Sequence, residues 1–215
     1  MQRISHILIC ITLCAAANAQ SMRNTFADMP DSILEIMTKI NRLDCIDFIE
    51  NNRTAKVRNR FDGYSILDTL TADYLRLQLT ATCCVEMKLL PLTDTLYCIC
   101  LSRTYAGPIE ETILNFYSAD WTPMPLESMI TLPQYDDFWM ENSTETADLQ
   151  HLQDMHFITA SLSPDNFNLI FTLLPGEVDP NKIPAFKHAL HPITYEWKSA
   201  KFVQSVIDDT ENQKE

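Results

Sequence analysis

The stretch CCVEMKLLPLTDTLYCIC, which runs from Cys83 to Cys100, holds four of the seven cysteines of the 215-residue chain. Apolar residues alternate with polar or small residues on both sides of its centre, which is typical of two strands that each bury one face. Residues 92–95 separate the two alternating segments and carry turn-forming side chains. The stretch therefore predicts an antiparallel β-hairpin.

The apolar residues also predict a pairing register for this hairpin. Matching the apolar faces gives three cross-strand pairs: Val85 with Leu101, Met87 with Ile99, and Leu89 with Tyr97. Cys98 and Cys100 then lie on the opposite face, beside Lys88 and Glu86. That face is predicted to be either solvated or covered by a helix, for which residues 31–50 are the candidate.

The spacing of the cysteines indicates which chemistry they carry. Cys98 and Cys100 are two apart on a strand, ~6.6–7 Å, so a disulfide between them would break the pleat. Zinc knuckles need C-x₂₋₄-C on turns, whereas the spacings here are C-C and C-x-C within strands. We expect free thiols. One disulfide, with Cys45 as a partner, and a metal or redox role are the alternatives.

The N-terminus has the pattern of a secretory signal. Arg3 supplies a positive charge, an apolar run follows from Ile7 to Leu13, and Ala17-Asn18-Ala19 provides small residues at a cleavage site. We expect cleavage after Ala19 and an exported protein, either periplasmic or associated with the cell surface. No stretch of the chain is long and apolar enough to predict an integral membrane span.

Composition excludes several classes of function. The formal net charge of −13 argues against binding to nucleic acid, because a phosphate backbone attracts cationic surfaces. Only three glycines occur, Gly63, Gly107 and Gly176, so the chain has no glycine-rich loop for a nucleotide phosphate. The G-x-S-x-G nucleophile elbow is also absent from the sequence. We predict no cofactor.

The change of hydrophobic period along the chain predicts an α+β fold. Apolar residues repeat at three and four between 31 and 50, which indicates a helix or a pair of short helices, and at two from Tyr74 onward. The helices are expected to pack on antiparallel sheet. The polar segment 51–60 resembles a connector. The predicted organisation is a signal peptide (1–19), a leader and helical segment (20–60), an antiparallel β-rich region (61–206) with possible halves at 71–124 and 155–206, and a charged tail (207–215).

Three groups of residues could carry chemistry, and each also has a plain structural interpretation. His188 and His191 are three apart and near Glu177 and Glu196 in sequence, yet no H-E-x-x-H frame exists. The polar middle of the chain is acidic but has no glycine at the bend of a calcium loop, so a solvated loop is expected: Asp136, Asp137, Glu141, Glu145 and Asp148. Three tryptophans could stack on sugars or lie at core edges: Trp121, Trp139 and Trp197. No catalytic, cofactor-binding or metal-binding residue is assigned.

Several ordered segments resemble a known family. They are MPDSILEIMTKINRLDCIDFI, GYSILDTLTADYLRL, EMKLLPL, GPIEETILNFYSADWTPM and ITYEWKSAKFV. Together they are similar to the Bacteroidales family designated domain of unknown function 3256, over nearly all of the chain after the signal. The resemblance implies an exported, envelope-associated protein of anaerobes with no established activity, and it carries over no functional residues.

The leading hypothesis is a non-catalytic binding or scaffolding protein of the envelope, with an unidentified envelope protein or glycan as partner. The alternative is a hydrolase that acts on envelope or dietary glycan or peptide, through carboxylates that the sequence does not identify. A third class, an inhibitor or chaperone-like partner, would present an exposed apolar sheet face or sheet edge. Whether the protein is an enzyme is left open, with a non-enzyme favoured.

Overall fold

A computed structural model describes residues 21–140, 157–174, 181 and 183–205. Its largest element is a seven-stranded antiparallel sheet in which every strand pairs with its neighbours in sequence. The strands are β1 (Ala55–Arg58), β2 (Tyr64–Leu70), β3 (Tyr74–Thr80), β4 (Cys83–Pro91), β5 (Tyr97–Ala106), β6 (Glu110–Ser118) and β7 (Pro123–Met124).

A second antiparallel sheet has the order β11-β10-β9-β8. Its strands are β8 (Phe157–Leu162), β9 (Asn168–Leu174), β10 (Ile193–Lys198) and β11 (Lys201–Gln204). The helices in the described part are short: α1 (Met22–Asp28), α2 (Lys39–Glu50), α3 (Leu126–Met129), α4 (Ile183–Ala189) and a 3₁₀ turn (Tyr135–Phe138). The fold is mostly β, and the mixed α and antiparallel β character predicted from the sequence is confirmed. The predicted domain limits stay predictions.

The seven-stranded sheet is buried on both faces along its central strands. Alternate residues of β3, β4 and β5 join side chains of α1 and α2 in one apolar cluster, which includes Phe26, Ile46, Leu77, Met87 and Leu101. The other face of β4 to β6 meets the second sheet in a separate cluster, which includes Cys100, Phe116, Leu169, Phe171 and Ile193. The central strands therefore separate two cores.

The predicted hairpin forms, and its register differs from the prediction by two residues. Met87 lies opposite Leu101, and Leu89 lies opposite Ile99, so the predicted pairs of these residues are wrong. Strand pairing continues to Pro91 opposite Tyr97, and the Leu92 amide donates to the Leu96 carbonyl at 2.8 Å, so the turn is centred on Asp94. A slip of two residues keeps every side chain on its face, so the apolar pattern could not distinguish the two registers.

Cys98 and Cys100 lie on the face of the hairpin that the sequence predicts, but the prediction of what covers that face is wrong. Both side chains are fully buried and lie in the cluster that joins the two sheets. The second sheet covers this face, and the helices contribute to the cluster on the opposite face. The face is therefore neither solvated nor covered by residues 31–50.

The predicted helix over residues 31–50 begins later than expected. Thr38 is its cap: its hydroxyl accepts from the Asn41 amide at 3.2 Å, while the Asn41 side chain accepts from the Thr38 amide at 3.1 Å. Residues 31–37 form turns and bends instead, and a helix that was not predicted, α1, lies in the expected leader. Asp31 lies in these turns and forms an ion pair with buried Arg42 at 2.9 Å.

Arg42 organises this N-terminal segment. Its guanidinium is fully buried and donates to the carbonyls of Phe26 at 3.0 Å, Met37 at 3.0 Å and Met29. With the Asp31 contact, one planar group satisfies acceptors from three separate turns of the chain.

Two strands were missed in the sequence. The expected connector at 51–60 contains β1, an edge strand in which only Ala55 and Val57 are buried and the alternating Lys56 and Arg58 are exposed. Charged edge strands protect a sheet against further pairing, and they give little apolar signal. The alternation of β2 is broken because the register shifts between Leu67 and Thr69.

All five cysteines of the described part are free thiols. Burial raises the pKa of Cys45 and Cys98 to about 12, against an ordinary value of 9.0, because it disfavours the thiolate. Cys84 is half-buried, and burial raises its pKa as well. The thiols are therefore held in their protonated, unreactive form.

We predict that a chain starting at residue 20 titrates close to five thiols after unfolding without reductant. In the native protein at pH 8, Cys84 should be alkylated before the other four cysteines, which should react only after the protein unfolds. The contribution of the buried thiols to the free energy of unfolding should be fully present below pH 9. It should decrease as the pH rises from 9 toward 12, because the thiols ionise first in the unfolded chain. A count of three or one thiols would show a disulfide and contradict the structure.

Candidate functional site

The free edge of β8 lies against the inner face of β4 and β5, and polar side chains of those strands satisfy its backbone. The Ser102 hydroxyl donates to the Ala160 carbonyl at 3.1 Å, and Glu86 accepts from the Leu162 amide at 3.1 Å. An edge strand leaves a row of unpaired backbone groups, and each unpaired group costs free energy when it is buried. These side chains therefore take the place of a neighbouring strand.

Glu86 is the centre of this arrangement. Its side chain is only 9% exposed, and one carboxylate oxygen accepts from the Tyr74 hydroxyl and from Arg76, each at 2.8 Å. The second oxygen accepts from Leu162. Three donors on one carboxylate offset the cost of burying its charge.

Lys88, two residues further along β4, is similarly satisfied. Its ammonium group forms an ion pair with Asp73 at 3.0 Å and donates to the Pro164 carbonyl at 3.1 Å. The rings of Tyr74 and Phe167 lie 5.7 Å and 5.3 Å from the same nitrogen, within the range of a cation–π contact. This lysine therefore fixes the loop after β8 to the larger sheet.

A groove of about 380 Å³ opens where this polar contact reaches the surface. It lies between the β3–β4 turn, the end of β5 and the edge of β8. Its polar lining comes from Arg76, Gln78, Thr82, Thr104, Glu110, Thr159 and Ser161. Small residues leave the space open between these side chains: Ala81, Ala106 and Ala160.

Two potential nucleophiles at the groove, a thiol and a phenol, are held in their protonated forms. Burial raises the pKa of the Cys84 thiol, and although Arg76 opposes this effect the thiol stays protonated at neutral pH. Burial and the hydrogen bond to Glu86 raise the pKa of Tyr74 as well. The side chain of Arg76 is 45% exposed and uses one nitrogen on Glu86, so its other donors face the groove.

The histidines and acids considered in the sequence form no metal-binding group where the structure describes them. His188 is exposed on α4, whereas the pKa of Glu196 is lowered by its hydrogen bonds with Lys198 and Ser205. Asp137 caps the 3₁₀ turn by accepting from the Gln134 amide at 2.7 Å. Within the described ranges, no group of three or more His, Cys, Asp or Glu could hold a metal ion. Four of the acids considered lie outside the described residues: Glu141, Glu145, Asp148 and Glu177.

The three tryptophans belong to the cores or their edges. Trp121 is buried in the cluster shared with the helices, and Trp139 is buried in the cluster between the sheets. Trp197 packs against the second cluster and donates its indole N–H to the Pro91 carbonyl at 2.7 Å. None of them lines the groove.

The sequence did not reveal Glu86 and Lys88 as interior residues. Their alternation with Val85 and Met87 predicts a face that is either solvated or covered by residues 31–50, and a solvated face is the usual meaning of charged residues at period two. One signal was available: Leu90, Cys98 and Cys100 occupy the same face, and three apolar positions are unusual on a solvated strand face.

Comparison with known proteins agrees with this architecture. The family model described as "Protein of unknown function (DUF3256)" matches residues 14–202. The chain belongs to this family. A solved structure, a domain of an uncharacterized protein from Porphyromonas gingivalis W83, is similar with a TM-score of 0.71 at 23% identity, covering 86% of this chain and 97% of that one. No curated protein matches.

Membership of the DUF3256 family confirms the resemblance noted in the sequence, and the solved neighbour supports the fold. Among the described residues, no helix is long and apolar enough to cross a membrane. The family description assigns no activity.

Replacing Glu86 with Gln tests the role of the carboxylate between the sheets. We expect a loss of about 2–4 kcal/mol in the free energy of unfolding, because an amide cannot accept from three donors and directs an N–H at one of them. Glu110→Gln changes an exposed acid of the same groove and should alter stability by less than about 0.5 kcal/mol. Urea unfolding measures both variants. Equal stability of the two would show that Glu86 does not hold the sheets together.

Proposed function

We propose that this DUF3256 protein is an exported, non-catalytic binding protein of the cell envelope, and that the groove between its sheets holds an extended segment of another envelope protein. The observation that carries the proposal is the half-exposed Arg76, fixed by buried Glu86 and surrounded by hydroxyl groups. A peptide backbone offers donors and acceptors in alternation, and such a lining can pair with both.

The chemistry of the groove favours binding over catalysis. Its buried carboxylate, Glu86, already accepts three hydrogen bonds, so it is poorly placed to take a proton from a substrate. The hydrolase alternative, which acts on envelope or dietary glycan or peptide, has no specific support in this groove. A glycan partner is less favoured than a protein because the described lining contains no aromatic ring on which a sugar could stack.

Export is supported by the sequence of the first nineteen residues, which lie outside the described part of the chain. The positive Arg3, the apolar run and the Ala17-Asn18-Ala19 site follow the order of a secretory signal. We place the mature protein in the periplasm or at the cell surface.

Fractionation of the native host tests export apart from binding. The recovered protein should be in the envelope or periplasmic fraction, and its N-terminal sequence should begin at Gln20. An intact Met1 in the cytosolic fraction would contradict the proposed localisation and would leave the groove's binding role to be judged separately.

Occluding the groove tests the binding role. Ala81 is an exposed groove residue in the β3–β4 turn, so Ala81→Trp should fill the groove without disturbing either core. Ala119→Trp makes the same change at the exposed turn after β6 and serves as the control. We expect the wild type to sediment with envelope particles from the host, and Ala81→Trp to bind about tenfold more weakly, a loss of about 1.4 kcal/mol.

Treatment of the particles identifies the class of partner. Protease should abolish the sedimentation, whereas periodate oxidation of glycans should leave it unchanged. Loss of binding after periodate would favour a glycan instead. Equal sedimentation of the Ala81→Trp and Ala119→Trp variants would show that the groove is not the binding site.

A further inference from the structure

A second cavity, of about 370 Å³, lies on the opposite face of the larger sheet. It is bounded by the turn at residues 32–36, the end of β3 and the end of β5. Its lining is mixed: apolar side chains such as Leu34 and Leu79 form its walls, and Arg103 and Tyr105 project from β5. On this face of β5, Ile99 and Leu101 are apolar, and the next residue on the same face is the positively charged Arg103.

Arg103 differs from every other described arginine. Of the seven arginines in the described ranges, six form ion pairs with carboxylates: Arg23, Arg42, Arg53, Arg58, Arg60 and Arg76. No described carboxylate lies within ion-pair distance of Arg103. In a chain with 29 acids and 16 basic residues, an arginine that faces no acid is not explained by a shortage of partners.

The guanidinium of Arg103 is also incompletely hydrogen-bonded. Its Nη2 donates to the Ile33 carbonyl at 2.8 Å, whereas its Nε is buried and has no hydrogen-bond partner among the described residues. Burying a cationic donor without a partner costs free energy, so such a group is unusual in a core that is otherwise well satisfied. Burial raises the pKa of the neighbouring Cys83 thiol, and the positive charge of Arg103 lowers it in part.

We propose that this cavity binds a carboxylate carried on an apolar group, with Arg103 as the residue that receives the carboxylate. A guanidinium presents paired N–H donors that match the two oxygens of a carboxylate. The apolar walls, from Leu34 and Leu79, would take the attached aliphatic body. Glu35 is exposed at the lining and would disfavour ligands with additional negative charge.

Two sources could supply this chemistry: a free aliphatic acid or the C-terminus of a peptide that ends in an apolar residue. Both present one carboxylate next to an apolar side chain. The site is separate from the groove, because it lies on the face that the helices share and its walls come from residues 32–36. Its occupation does not depend on the function proposed for the groove.

Binding can be tested by NMR with defined probes. Hexanoate and N-acetyl-Ala-Leu are titrated into the ¹⁵N-labelled chain starting at residue 20, with hexanamide and the C-terminal amide of the peptide as uncharged controls. We expect saturable shifts of the amides at residues 32–36 and of the Arg103 Nε–H, with a dissociation constant of about 1 mM or tighter. The tighter of the two acids identifies the source.

Substitution of the arginine provides the second test. Arg103→Met keeps an unbranched apolar stem and removes the charged guanidinium, and it should weaken hexanoate binding at least tenfold, or about 1.4 kcal/mol. Arg58→Met removes a charge from an exposed arginine that pairs with Asp62, and it should bind as the wild type does. Because the charge removed in Arg103→Met is incompletely satisfied, its thermal midpoint should be equal to or above that of the wild type.

Three results would overturn the proposal. The first is the absence of saturable shifts up to about 50 mM acid, because a specific site with a millimolar dissociation constant would be saturated at that concentration. The second is equal shifts from hexanamide, and the third is unchanged binding of hexanoate by Arg103→Met. The comparison of hexanoate with hexanamide uses only the wild-type protein, so it remains decisive even if the variant does not fold.

Discussion

The structure depends on how one unpaired strand edge is satisfied. β8 has a partner on one side only, and its other edge is pressed onto the larger sheet, where no strand can pair with it. Glu86 and Ser102 provide hydrogen-bond partners for this edge from the face of β4 and β5, and Lys88 holds the loop that follows β8. The two sheets are consequently joined by directional polar bonds as well as by apolar contact, which fixes their relative position more sharply than apolar packing alone.

This arrangement explains both what the sequence predicts and where prediction fails. The period-two pattern around Met87 identifies the strands and assigns each side chain to the correct face, because those properties are local. Which faces are covered is a property of distant segments. Residues 160–164 are far from β4 and β5 in sequence, yet their backbone covers Glu86, Lys88 and Ser102 and makes them interior residues. The groove is missed for the same reason, since the space between the β3–β4 turn and β8 is enclosed only when the two sheets meet.

Arg42 and Arg103 show how context separates a structural cation from a candidate ligand site. Arg42 is fully buried, and its donors are matched by three carbonyls and Asp31, so it stabilises the turns around it. Arg103 has a similar apolar setting, but the structure describes one hydrogen bond and no ion pair for it. Because no local sequence feature distinguishes the two arginines, the difference could be found only by accounting for each donor in the folded chain.

The two cavities are adjacent although they open on opposite faces of the sheet. Thr82 and Cys83 line both of them, and the amide of Ala106 donates to the Thr82 carbonyl at 2.8 Å, which fixes the turn between β3 and β4 to the end of β5. Cys83 points into the core shared with the helices and Cys84 points toward the groove, because successive residues of a strand face opposite sides. A ligand that moved this turn from one side would therefore change the wall of the other cavity, so the turn is the physical element through which the two sites could influence each other.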